Sequence, residues 1–114
     1  VSLVSELLIE GGIPRAATPK GVVHAWHQFT ILVESNGRDQ LAEHLRRDNI
    51  HPGIYYPIPN HLQPALGGKH RIGDYPVSEY LAGHVLSLPV HPGLSETDLS
   101  RIVDSVSCWT RLNS

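Results

Sequence analysis

The chain has 114 residues, enough for one domain with a modest hydrophobic core. Apolar residues make up 40% and charged residues 18%, the balance of a folded domain rather than a disordered segment. The formal net charge is −2 with no basic run, which excludes the electrostatic footprint of a nucleic-acid binder, and no stretch approaches the roughly 20 apolar residues of a membrane span.

The opening residues lack the charged start and long apolar run of a secretory signal. The single cysteine rules out an internal disulfide framework and fits the cytoplasm. There is no methionine at all, which suggests a piece of a longer chain.

In chain order, Ser2 to Glu10 places Leu3, Val4, Leu7 and Leu8 at helical spacing before Gly11-Gly12 stops the pattern. This reads as the end of a helix entering from elsewhere, over residues 1–12. Val22 to Glu34 is the strongest strand candidate, ended by Ser35-Asn36-Gly37. Arg38 to Asp48 predicts a helix with Leu41, Ala42 and Leu45 on one face, closed by Asn49 in the left-handed conformation. Ile50 to Tyr56 predicts a second short strand.

Pro57, Pro59 and Pro64 follow. Each fixes its own φ, removes a donor and pushes the preceding residue toward extended geometry. The segment therefore reads as a stiff, extended loop, not a helix, presenting Tyr55, Tyr56, Asn60, His61 and Gln63. Leu66 to Gly73 reads as a flexible basic loop with Lys69 and Arg71. Pro76 suits the first turn of a helix, with Val77, Tyr80, Leu81 and Val85 as its apolar stripe. Val85 to Leu88 predicts a third strand. Ser95 is placed to cap a last helix, with Glu96 and Asp98 in its first turn and Leu99, Ile102, Val103, Val106 and either Trp109 or Thr110 at core spacing. The sum is an α+β fold: a small sheet of about three strands with helices packed on it, all of 1–114 forming a single domain.

Several blocks resemble the DegT/DnrJ/EryC1/StrS family of pyridoxal-phosphate (PLP) sugar aminotransferases. Ile54-Tyr55-Tyr56-Pro57-Ile58-Pro59-Asn60-His61-Leu62-Gln63-Pro64 is similar to its "YYPxPxHxQ" segment. In the same order come Val23-His24-Ala25-Trp26-His27-Gln28-Phe29-Thr30, Arg38-Asp39-Gln40-Leu41 with Leu45, Tyr75-Pro76-Val77-Ser78-Glu79, and Leu86-Ser87-Leu88-Pro89-Val90-His91-Pro92-Gly93-Leu94. One block would be weak; five in order over about residues 20 to 107 is specific.

The resemblance implies the small C-terminal domain of a larger enzyme, capping a PLP active site, acting on a nucleotide-linked keto-sugar and supporting a homodimer. It implies a separate N-terminal domain carrying PLP and its lysine, so that this chain alone binds no cofactor, supplies no catalytic residue and is inactive. It places His61 by the substrate, and an imidazole suits that work because it both donates and accepts at neutral pH. Tyr55 and Tyr56 are the next substrate-binding candidates. Alternation along a strand would put one ring in the core and the other toward the cleft.

Lys69 and Arg71 are weaker candidates for a substrate phosphate. Lys69, between Gly68 and His70 in a mobile loop, is not the cofactor lysine, which the resemblance places in a separate N-terminal domain. Asn60 and Gln63 read as satisfying loop backbone groups, and Glu79 as a cap or salt bridge near a helix start. The eight histidines include no i, i+4 pair, so no metal site is expected. Cys108 has no adjacent base and reads as packed or idle. The alternatives are the same fold in a PLP- or PMP-dependent sugar dehydratase, a non-catalytic relative, or an independent small binding module.

Overall fold

The computed structural model describes residues 17–34 and 36–113. The helix expected over Ser2 to Glu10 lies outside them. The elements are β1 (Phe29–Leu32), α1 (Arg38–Arg47), two single 3-10 turns (Asn60–Leu62 and Pro64–Leu66), α2 (Pro76–His84), β2 (Val85–Leu88) and α3 (Glu96–Leu112).

β1 and β2 pair antiparallel, with Phe29 opposite Leu88 and Leu32 opposite Val85. One face of this ribbon is apolar, and α1 packs against both β2 and α3 to cover it. Ile31, Leu41, Leu45, Leu86 and Val106 are fully buried at that junction, with Phe29, Ile102, Val103 and Trp109 around them. The other direction of the ribbon carries the Thr30–Ser87 hydroxyl pair at 3.0 Å, a cross-strand contact of the kind that fixes register.

The helix ends follow local chemistry. Asn49 takes φ 60° after α1, and the Ile50 N–H donates to the Leu45 carbonyl at 2.9 Å. Ser95 accepts from the Asp98 N–H at 3.1 Å, and Asp98 accepts from the Ser95 N–H at 3.0 Å, a reciprocal capping box. Ser95→Ala should cost about 0.5–2 kcal/mol of unfolding free energy, read from the denaturant midpoint, because it orphans a first-turn donor of the longest helix. Side chains also lock α1 to α3. His44 Nε2–H donates to the Ser105 carbonyl at 3.2 Å, and Ser105 Oγ–H donates to Asp48 Oδ2 at 2.5 Å.

Three expectations are corrected. The first strand spans only Phe29–Leu32, because β2 offers just four partners and Trp26 takes φ 47°, which no strand tolerates. Upstream, Val23 is 97% exposed and the His24 ring stacks on Trp26 at 4.0 Å. The predicted strand at Ile50 to Tyr56 shrinks to one bridge, Gly53 to Ser87, with both backbone hydrogen bonds at 2.8 Å. Pro52 and Pro57 deny the segment the donors that would extend it. On α2 the expected core stripe is exposed: Val77 is 71% accessible, Tyr80 and Leu81 are also open, and only Ala82 is buried. A helix of nine residues meets the domain on one narrow side, where Arg38 donates to the Ala82 carbonyl at 3.1 Å. The α+β class stands.

Candidate functional site

The proline-rich loop leaves the sheet at the Gly53 bridge. Gln63 is extended before Pro64, at φ −64° and ψ 137°, as the proline demands. The loop is not extended throughout: Asn60–Leu62, just after Pro59, and Pro64–Leu66 each close a single 3-10 turn, and Pro64 at the first position of its turn loses no bond that the turn needs. Gln63 Nε2–H donates to the Ile58 carbonyl at 3.2 Å, tying the loop to itself as expected.

The first of these turns carries His61. Its ring is 9% exposed and lies among polar and aromatic groups, not in the hydrophobic core. Its Nε2 is 2.9 Å from Glu79 Oε1. The ring centroid of Tyr75 is 4.8 Å away and that of His70 is 6.3 Å away. His70 in turn stands 3.6 Å from the Asp74 carboxylate. The basic loop and the proline-rich loop therefore meet at His61.

Glu79 acts as both the cap and the salt-bridge partner expected near this helix start, and the sequence did not show that its partner is His61. From the first turn of α2 Glu79 reaches back past the helix start and accepts the Gly73 N–H on both oxygens, at 2.8 and 2.9 Å, and the Tyr75 N–H at 3.3 Å. Gly73 takes φ +99°, a conformation open to glycine, which aims that N–H at the carboxylate. Burial alone would push the Glu79 pKa up. The bonds from Gly73, His61 and Tyr75, with the His61 charge, outweigh it and hold the carboxyl below its ordinary value.

A carboxyl depressed on folding stabilises the fold above its unfolded pKa, near 4.3, and loses that contribution as pH falls through the lower folded value. Asp98, held down by hydrogen bonds from the Ser95 hydroxyl and N–H, acts with the same sign. Urea midpoints measured between pH 6 and pH 3 should therefore fall on the acid side of about 4.5. The fall should be shallower in Glu79→Gln.

The tyrosines depart from expectation. Tyr55 and Tyr56 are both exposed, their rings 5.8 Å apart edge to face. Strand alternation ends at Gly53, so neither ring is directed into the core. The Tyr55 ring lies against Gly53, where an added Cβ would sit 2.7 Å from its hydroxyl. Lys69 and Arg71 are exposed on the loop, which is pinned by the Arg71 N–H to Asp74 Oδ2 at 2.9 Å. Cys108 is exposed rather than packed. Among the described residues no group of three His, Cys, Asp or Glu side chains is placed to hold a metal ion, and no helix is long and apolar enough to cross a membrane.

The result is an α+β domain whose polar groups converge on a loop outside its own core. The family model for the DegT/DnrJ/EryC1/StrS aminotransferase family matches residues 3–107, and the chain belongs to that family. It is 44% identical over 84 residues to a UDP-N-acetyl-3-dehydro-alpha-D-glucosamine 3-aminotransferase of Acidithiobacillus ferrooxidans, covering 74% of this chain and 22% of that protein. It is 37% identical over 99 residues to a dTDP-3-amino-3,4,6-trideoxy-alpha-D-glucose transaminase of Streptomyces venezuelae, covering 86% and 26%. A crystal structure of a family aminotransferase from Brucella abortus superposes with a TM-score of 0.84 at 35% identity, over 96% of this chain and 29% of that one. The chain thus spans about a quarter of the length of these relatives.

The described residues do not by themselves fit PLP. A cofactor lysine needs an amine screened from water or set beside another cation to lower its pKa, and Lys20 and Lys69 are both exposed.

Proposed function

We propose that this chain is the C-terminal part of a PLP-dependent aminotransferase that acts in the cytoplasm on a nucleotide-linked keto-sugar. The observation that carries the reading is family membership over residues 3–107, together with a loop that presents polar groups away from the domain's own core. The related enzymes of Acidithiobacillus and Streptomyces are named for UDP- and dTDP-linked sugars, which supports a nucleotide-sugar substrate.

PLP, bound by an N-terminal domain, would supply the electron sink. This chain's share is binding and orientation. His61 holds the sugar from a ring fixed by Glu79, and Tyr55 and Tyr56 close over it as exposed, rigid aromatic surfaces. Lys69 and Arg71, exposed on the loop that reaches His61 through His70, would meet the diphosphate. The open apolar groups of α2 and the loop, among them Ile58, Tyr75, Val77, Tyr80 and Leu81, form the surface that the N-terminal domain and a second protomer cover.

The test is amino transfer by the full-length protein. With PLP, glutamate and a UDP- or dTDP-linked keto-sugar, mass spectrometry should show the ketone replaced by an amine, and residues 1–114 alone should give none. Product from the isolated chain, or none from the full-length protein with either nucleotide, overturns the reading.

A further inference from the structure

The Glu79–His61 pair determines more than the position of a ring. Glu79 Oε1 faces three nitrogens: Gly73 N at 2.8 Å, Tyr75 N at 3.3 Å and His61 Nε2 at 2.9 Å. Two are backbone N–H groups and can only donate. An ionised carboxylate can only accept, and the same bonds that hold the Glu79 pKa down keep it ionised at neutral pH. His61 Nε2 must therefore carry a proton. In the neutral imidazole this leaves Nδ1 as a bare lone pair. Nδ1 has no hydrogen-bond partner among the described residues, and the one sealed-off side-chain nitrogen or oxygen among them without a hydrogen bond is Arg38 Nε, which stands 2.6 Å from Asp39 Oδ1 in an ion pair. Nδ1 accordingly is not sealed off and keeps an open edge, on a ring that has Tyr75 and His70 as its aromatic neighbours.

We infer that Glu79 is a positioning residue that locks His61 in the Nε2–H form, so that the open side of the ring accepts a hydrogen bond and selects a ligand group that donates one, a hydroxyl or amine of the sugar rather than its diphosphate. This rests on the reading of His61 as a sugar contact and deepens it. Anionic groups fall instead to the Lys69 and Arg71 loop. Glu79 holds that loop through Gly73, so one carboxylate sets the spacing between the hydroxyl-reading and the phosphate-reading parts of the site.

Two measurements on the full-length protein test it. Histidine ring 15N spectra at pH 8, with His61 assigned by its loss in His61→Gln, should show a protonated Nε2 and an unprotonated Nδ1. Glu79→Ala should convert this to a mixture of tautomers. Glu79→Gln, whose amide oxygen can still take the Gly73 N–H, serves if the alanine variant fails to fold. It should also change the tautomer ratio, because the amide can present a donor to Nε2. A protonated Nδ1 in the wild type, or a ratio unchanged in every folded Glu79 variant, overturns the inference.

Kinetics separate it from the parent reading. Glu79→Gln should raise KM for the keto-sugar nucleotide about 3- to 10-fold, the scale of one neutral hydrogen bond, and leave KM for the amino donor unchanged. If the tautomer moves as expected but neither Glu79→Gln nor His61→Ala alters sugar KM, the lock stands and the sugar contact at His61 falls.

Discussion

Leu45→Ala should destabilise the domain by roughly 2–5 kcal/mol, the range for a buried leucine cut back to a methyl group. Leu45 is fully buried on α1, the helix that touches both β2 and α3. A domain of this size has about 5–15 kcal/mol in all, and each kcal/mol moves the melting midpoint by roughly 4–8 °C. Guanidinium unfolding should show the midpoint displaced with an unchanged slope. Leu45→Met, which keeps the volume, should cost less than about 1.5 kcal/mol. A loss below about 1 kcal/mol for the alanine variant would mean that α1 is not the keystone of the core.

That keystone is legible in the sequence itself, and the reason is physical. Leu41, Ala42 and Leu45 repeat at the period of a helix and are buried; so do Leu99, Ile102, Val103, Val106 and Trp109, of which Leu99 alone is half-buried and the rest buried. Caps are equally local. Ser95 and Asp98, and Asn49 after α1, act within a few residues of themselves. Strands are different, because a strand exists only opposite a partner. Val22 to Gln28 has good strand composition but meets a β2 of four residues, already filled by Phe29–Leu32.

The α2 stripe failed for a related reason. Val77, Tyr80 and Leu81 have the spacing of a buried face, yet spacing does not say which molecule buries it. In the candidate site, His61 stood out through the family-like segment that carries it, on a loop braced by three prolines, whereas its partner did not. Glu79 is 18 residues away, beyond a second 3-10 turn and an irregular loop, and no periodicity joins them. The only local hint was an acid in the first turn after Pro76, which ordinary helix capping already accounts for.

His61→Ala in the full-length enzyme should lower kcat/KM for the keto-sugar nucleotide by roughly 10- to 100-fold, the range for losing one directional contact together with the orientation it imposes. The loop should survive the change, because Glu79 keeps the Gly73 and Tyr75 N–H groups. Two further substitutions divide the imidazole into its halves. Asparagine places its polar atoms near the position of Nδ1 and cannot reach Glu79; glutamine reaches toward Glu79 from near the position of Nε2 and leaves the open side empty. If the open edge reads the sugar, His61→Asn should recover part of the sugar KM while His61→Gln should not, although His61→Gln should be the more stable of the two. The opposite ranking would make His61 a strut for the loop and transfer sugar recognition to Tyr55 and Tyr56, the exposed aromatic pair of the same segment.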